Sequence, residues 1–118
     1  MINYRYKAKM VRVVDGDTID FEVDLGFTVS VNIRVRLEGV NTPEVHGVKH
    51  ASEEYQEGLR AMDFVEDWFE ENASSWCEIE TKKTGKYGRW IAQVYAGEEG
   101  EHELCLNDAL ARMGWADE

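Results

Sequence analysis

The sequence predicts a small α+β domain that is mainly β, with a helix between the third and fourth of five strands and a second helix at the C-terminus. Three runs of alternating apolar and polar residues, separated by glycine-containing turns, occupy the first third of the chain. A segment with apolar residues at helical spacing follows, and two further β-rich runs come after it. The chain has 118 residues, so we expect residues 1–118 to form one domain with its own core.

The first three strands are predicted to form a meander. The first runs from Tyr4 to Val14, and Asp15-Gly16 between apolar runs is a typical hairpin turn. The second strand, Thr18 to Leu25, and the third, Val29 to Leu37, carry an apolar residue at every second position. We therefore expect residues 4–37 to bury one face of a three-stranded sheet.

A helix is predicted to begin at Ser52, whose hydroxyl can cap the first turn. The residues expected to face the core recur at helical spacing: Tyr55, Leu59, Met62, Val65 and Phe69. Acidic residues near the C-terminal end oppose the helix dipole, so we expect fraying after about Phe69.

Two further strands and a second helix are predicted after the first helix. Trp76–Lys83 and Trp90–Ala96 are the fourth and fifth predicted strands. Leu104–Met113 is the second predicted helix, with Asn107 as a candidate cap and Gly114 ending it. Five strands with a helix between the third and fourth is the order of an OB-fold Greek-key barrel, which binds oligonucleotides across one face.

Charge is distributed unevenly along the chain. The net charge is −11, yet residues 1–51 hold seven basic and seven acidic residues, so residues 52–118 supply the whole excess. This excludes a uniformly basic DNA-binding protein and leaves room for a local basic groove. No long apolar run is present, so we expect no membrane span, no signal peptide and a cytoplasmic location. Cys77 and Cys105 are expected to be reduced.

Side chains that suit phosphodiester chemistry fall in three predicted loops. Asp17, Asn41, Thr42 and Glu44 offer oxygen ligands of the kind that Ca²⁺ prefers, on two loops that follow adjacent strands. Glu44 is also placed to accept a proton from metal-bound water. Taken alone, Asp17 is more typical of a simple turn residue than of a metal ligand.

Two arginines accompany these oxygens. Arg36 lies on the polar face of the third strand, close to the loop that follows it, and Arg89 follows Lys86, Tyr87 and Gly88 in the last loop. A planar guanidinium can bind a phosphate through two parallel hydrogen bonds. Either arginine alone is also typical of a surface ion pair.

Four segments of the chain resemble the staphylococcal nuclease, or thermonuclease-like, family. They are Val14–Thr18, Arg36–Glu44, Lys86–Arg89 and Leu106–Gly114. Their order and spacing match the family from about Met10 to Gly114.

The resemblance implies an OB-fold barrel and a Ca²⁺-dependent phosphodiesterase that cuts DNA or RNA and leaves 3′-phosphate ends, with Mg²⁺ as the alternative metal. The residues carried over by position are metal ligands, catalytic groups and substrate contacts. They are, in that order, Asp17, Asn41 and the Thr42 carbonyl; Arg36, Glu44 and Arg89; and Lys86 and Tyr87. We expect a monomer that binds nucleic acid, with a protein partner left open.

Three departures from the family pattern favour weak binding of metal and substrate. Asn41 stands where most active members have aspartate, and the net charge is acidic. The resemblance stops before the family's third helix, whose base-stacking aromatic residues have only Trp115 as a substitute. The alternative is therefore a catalytically weak or inactive module that binds nucleic acid or a protein. A third reading is a protein-interaction domain that uses the acidic helix at residues 52–73.

Overall fold

The computed structural model of the protein describes residues 4–46, 52–82, 90–97 and 103–116. Strands dominate these residues, and two helices accompany them. In chain order the elements are β1 (Tyr4–Asp15), β2 (Thr18–Asp24), β3 (Ser30–Leu37), α1 (Glu53–Asn72), β4 (Cys77–Lys82), β5 (Trp90–Ala96), β6 (Leu104–Cys105) and α2 (Leu106–Leu110), which continues into a wider π-helical turn (Ala111–Trp115).

Five strands close into a barrel. The sheet order is β3-β2-β1-β4-β5-β6, and β3 also pairs with β5. That closing pair is parallel and short, joining Val35–Leu37 to Trp90–Ala92, whereas the other ladders are antiparallel. The predicted α+β barrel, with a helix between its third and fourth strands, is therefore confirmed.

The core lies inside the barrel and under α1. Alternation along β2 and β3 directs Phe21 and Val35 inward, and both are fully buried. Helix α1 closes one end of the barrel with Val65, Trp68 and Phe69, which are buried as well. The rings of Phe21 and Phe69 meet edge to face at 6.0 Å.

The predicted buried face does not extend over all of residues 4–37. At the far end of the β2–β3 hairpin, Leu25, Val29 and Val31 are 45%, 51% and 39% exposed. The reason is barrel geometry: β5 pairs only with the last three residues of β3, so among the described residues no strand covers this end of the hairpin.

Helix α1 begins as predicted and ends later. The Ser52 hydroxyl accepts a hydrogen bond from the Tyr55 amide at 3.1 Å, which confirms the cap. The expected fraying after Phe69 is wrong, because the helix continues to Asn72 and the Ala73 amide closes it on the Phe69 carbonyl at 2.8 Å. Burial of Trp68 against Phe69, with ring centroids 5.2 Å apart, outweighs the unfavourable dipole.

The C-terminal segment differs from its predicted helix. Leu104 and Cys105 form a short strand against Tyr95 and Ala96 instead of a first helical turn. Gly114 was predicted to end the helix, and it interrupts the helical geometry within Ala111–Trp115, with a φ of 102° that favours glycine.

Asn107 does not cap α2, because Cys105 occupies the cap position. The Asn107 side chain is buried among strands, where its Oδ1 accepts from the Val94 amide at 3.0 Å. Its Nδ2 donates to the carbonyls of Glu38 at 2.8 Å and Ala92 at 3.1 Å. One side chain thus ties α2 to β5 and to the end of β3.

Both cysteines carry free thiols, as predicted. Burial raises the pKa of the Cys77 thiol to about 12, which makes it an inert core residue. Among the helices that the structure describes, none combines the length and the apolar character needed to span a bilayer.

Replacing Asn107 with Ala should lower the free energy of unfolding by about 2–4 kcal/mol, because three buried backbone groups lose this partner. Chemical denaturation monitored by tryptophan fluorescence measures the change. The exposed neighbour provides the control, since Asp108→Ala should change the value by no more than about 0.5 kcal/mol. Equal effects of the two substitutions would contradict a tethering role for Asn107.

Candidate functional site

Two carboxylates of the β1–β2 turn hold the loop that follows β3. Asp17 Oδ2 accepts a hydrogen bond from the Thr42 amide at 3.2 Å, and Asp15 Oδ1 accepts one from the Val45 amide at 3.2 Å. Asp17 Oδ1 also accepts from the Thr18 hydroxyl at 3.2 Å. Two of the three predicted loops therefore meet, although 25 residues separate Asp17 from Thr42 along the chain.

Arg36 reaches the same place from the polar face of β3, where it lies opposite Thr18 in the ladder with β2. Its Nη2 donates to the Val40 carbonyl at 3.2 Å and lies 3.9 Å from Asp17 Oδ2. Its side chain remains 30% exposed. The guanidinium is therefore oriented by the loop, and with one hydrogen bond to the described residues among its five N–H donors it is suited to binding an anion.

Two glycines allow helix α1 to approach this loop closely. A Cβ at Gly16 would lie 2.7 Å from the Ala61 Cβ and 2.9 Å from Thr42 Oγ1. A Cβ at Gly58 would lie 2.8 Å from the Pro43 carbonyl oxygen. Glycine inside a helix is destabilising, so a glycine in the middle of α1 is the sequence signal that could have revealed this contact.

The far side of the loop faces a groove of about 980 Å³. Its walls are the loop itself, the first turns of α1 and the end of the C-terminal turn. The lining residues are Asn41, Thr42, Pro43, Glu44, Ser52, Glu53, Glu54, Gln56, Glu57, Arg60, Met113, Gly114 and Trp115. Glu44 and Asn41 are exposed, so both side chains are accessible to solvent and ligands.

Trp115 binds the loop that follows β3, a role that the sequence did not predict. Its carbonyl accepts from the Asn41 amide at 2.9 Å, and Val40 forms an isolated bridge with Ala116. Its indole Nε1 donates to Glu57 at 3.3 Å, and its ring packs edge to face on Phe64 at 6.1 Å. The Trp115 ring is therefore half-buried in the protein instead of standing free as a stacking platform.

The donor chemistry fits a hard divalent cation. Asp17 supplies one carboxylate whose two oxygens each accept one hydrogen bond from the described residues, and a carboxylate oxygen can accept more than one. Asn41 adds an exposed amide oxygen, and Thr42 follows it in the same docked loop. The part of the chain that the structure describes contains no group of three His, Cys, Asp or Glu residues able to hold a metal. A cation here would depend on amide, carbonyl and water oxygens.

Three predicted site residues lie outside the described residues: Lys86, Tyr87 and Arg89. Their roles stay predictions. The first described residue after that segment is Trp90, where β5 begins. Trp90 pairs with Val35, which precedes Arg36 in β3.

Comparison with known proteins gives one family. A family model described as staphylococcal nuclease homologue matches residues 34–118. The thermonuclease of Staphylococcus hyicus is 33% identical over 88% of this chain and 57% of its own length. The thermonuclease of Staphylococcus intermedius is 35% identical over 86% of this chain and 55% of its own length.

A relative of unknown function is also similar to the chain. An uncharacterized protein of Methanocaldococcus jannaschii is 29% identical over 94% of this chain and 58% of its own length. The chain thus spans a little under three fifths of the length of these curated relatives. No solved structure gives a significant match.

Thr42 offers a test of the site's packing. Its Oγ1 is buried and has no hydrogen-bond partner among the described residues. Thr42→Val keeps the shape and removes the hydroxyl, so it should raise the free energy of unfolding by about 1 kcal/mol. Thr42→Ser keeps the hydroxyl and loses the methyl group, so it should lower that energy by about 1 kcal/mol. Loss of stability in the valine variant would mean that the hydroxyl has a partner.

Proposed function

The chain belongs to the family of staphylococcal nuclease homologues, and from that premise we propose that it is a metal-dependent nuclease that hydrolyses phosphodiester bonds of DNA or RNA. The observation that carries the proposal is the meeting of Asp17, Thr42 and Arg36. A carboxylate, a docked loop and a partly exposed guanidinium within 3.9 Å of that carboxylate are parts that phosphoryl chemistry requires.

We propose that Asp17, the Asn41 side chain and the Thr42 carbonyl hold Ca²⁺, with Mg²⁺ as the alternative. A bound divalent cation neutralises charge on a phosphate and makes bound water more acidic. The neutral Asn41 leaves the set with one firm charged ligand, so we expect weak metal binding and modest activity.

The protein side chains have separate tasks in this proposal. Glu44 accepts the proton of the attacking water, since it lies exposed in the same loop as the metal ligands. Arg36 donates to the phosphate oxygens as charge builds on them, and Arg89 does the same from the other loop. Lys86 and Tyr87 hold the substrate next to the bond that is cut. By the resemblance, the water oxygen bonds to phosphorus as the bond from phosphorus to the 5′ oxygen breaks, so the products carry 3′-phosphate and 5′-hydroxyl ends.

The alternative function is a module of the same fold that binds nucleic acid or a protein without cutting. The charge of the groove beside Glu44 favours the protein-binding form of this module. Among the described residues, Glu53, Glu54 and Glu57 line that groove together with one cation, Arg60. Such walls repel a polyanion and suit a basic partner.

Glu44→Gln should lower the rate of cleavage at least 100-fold and leave folding and binding intact, because a general base contributes factors of about 10²–10⁴. Cleavage of labelled single-stranded DNA and RNA at low salt, with Ca²⁺, with Mg²⁺ and with chelator, provides the measurement. Glu54→Gln is the matched control, since it makes the same charge change in the same groove.

The outcomes separate the two functions. Metal-dependent cleavage that only Glu44→Gln abolishes supports the nuclease and its base. Unchanged cleavage in Glu44→Gln removes Glu44 from the mechanism. Binding without cleavage by folded wild-type protein, under every metal condition, supports the binding module.

Asn41→Asp should tighten Ca²⁺ binding roughly tenfold, because a second carboxylate joins the ligand set. Isothermal titration calorimetry of Ca²⁺ into protein without nucleic acid measures the affinity. Asn32→Asp, at an exposed asparagine on β3, controls for the added negative charge. Equal affinities of the Asn41 variant and the wild type would remove Asn41 from the metal ligands.

A further inference from the structure

A row of charges crosses the outer face of the barrel beside the candidate site. Arg12, Asp20 and Arg34 are ladder partners on β1, β2 and β3. Arg34 donates to both Asp20 oxygens, at 2.7 and 3.2 Å, and its side chain is still 52% exposed. These hydrogen bonds, with a smaller contribution from the charge of Arg12, lower the pKa of the Asp20 carboxyl.

Arg34 and Arg36 point to the same side of β3. Residues two apart on a strand lie about 6.6 Å apart on one face. That interval is close to the spacing of successive phosphates in an extended nucleic-acid strand. A strand whose reacting phosphate lies at Arg36 can therefore bring its next phosphate to Arg34.

A hollow of about 470 Å³ lies beside Arg34. Its lining residues are Val11, Asp20, Phe21, Asn32, Ile33 and Arg34. The register of β1 against β2 shifts between Met10 and Arg12, so Val11 has no partner in this ladder and is 59% exposed. A base can stack on the plane of a guanidinium and pack against an apolar side chain such as Val11, and the volume suits one nucleotide.

We propose that Arg34 and this hollow form a second nucleotide subsite, which binds the phosphate and base next to the nucleotide held at Arg36. The proposal rests on the proposed nuclease function, because it concerns the same substrate strand. In the free protein Asp20 is the counter-ion of Arg34. In the complex the phosphate accepts hydrogen bonds from some of the Arg34 N–H groups. Asp20 competes for the same groups, so the affinity of the subsite is low.

Arg34→Gln should raise the KM for a single-stranded hexanucleotide about fivefold, the upper range for an exposed ion pair, and leave kcat unchanged. It should leave the KM for a dinucleotide unchanged, because a dinucleotide has no phosphate to place there. Lys9→Gln is the control: it removes one exposed positive charge on β1, opposite Glu22 and outside the row of Arg34.

Asp20→Asn should change affinity in the opposite direction and lower the hexanucleotide KM, because Arg34 loses its competing anion. Its matched control is Glu22→Gln, which removes one exposed charge from the same strand and face, opposite Asn32 instead of an arginine. Equal effects of Asp20→Asn and Glu22→Gln would reduce the result to net charge and overturn the subsite.

A binding experiment separates this proposal from the nuclease function. Hexanucleotide affinity is measured in the Glu44→Gln background over a series of salt concentrations, with and without Arg34→Gln. Loss of one phosphate contact should reduce the salt slope by about 0.7. That result supports the subsite even if the wild type cuts nothing. An unchanged slope with active wild-type enzyme, or equal loss for dinucleotide and hexanucleotide, overturns the subsite alone.

Discussion

The hydrogen bond from the Thr42 amide to the Asp17 carboxylate is the contact on which the candidate site depends. Both residues are nearly inaccessible to solvent, so this amide needs a protein partner, and leaving it without one would cost about 1–3 kcal/mol. The contact joins the turn after β1 to the loop after β3. It also places the Asp17 carboxylate within 3.9 Å of Arg36. The same carboxylate thus shapes the loop and is the proposed charged ligand of the metal.

The rest of the molecule holds that loop from two further sides. Helix α1 comes close because Gly16 and Gly58 have no side chains at the contact. The Trp115 carbonyl binds the Asn41 amide from the C-terminal side, while the indole is fixed on Phe64 and Glu57. A loop fixed by a turn, a helix and a C-terminal segment is preorganised, which is what positioning of reacting groups requires.

What the sequence predicted correctly was encoded locally. Alternation in β2 and β3 depends on neighbouring residues only, so the meander and the Ser52 cap could be predicted locally. The barrel was predicted from the order of the elements and from the family resemblance. The exposed end of the hairpin could not, because it depends on how far the parallel pairing with β5 extends. The end of α1 depends on the burial of Trp68 against Phe69, which outweighs a local dipole effect.

The candidate site also has a part that the sequence predicted and a part that it did not. Motif spacing predicted that Asp17, Thr42 and Arg36 belong together, and the structure brings these three into contact. The tethers made by Asn107 and Trp115 were missed, because their partners are carbonyls and amides distant in sequence, and any residue type supplies those groups.

Charge segregation explains how an acidic chain can suit a polyanion. The acidic excess belongs to residues 52–118, and the groove on the α1 side of the loop carries glutamates from the first turns of that helix. The outer face of the meander carries basic residues instead: Arg12, Arg34 and Arg36. Asp20 lies between Arg12 and Arg34 in the ladder. Repulsion by the glutamates of α1 and attraction by the arginines both favour binding of a polyanion on the outer face of the meander. The proposed substrate strand would therefore lie along β3 and meet the groove only at Asn41, Thr42 and Glu44, away from the glutamates of α1.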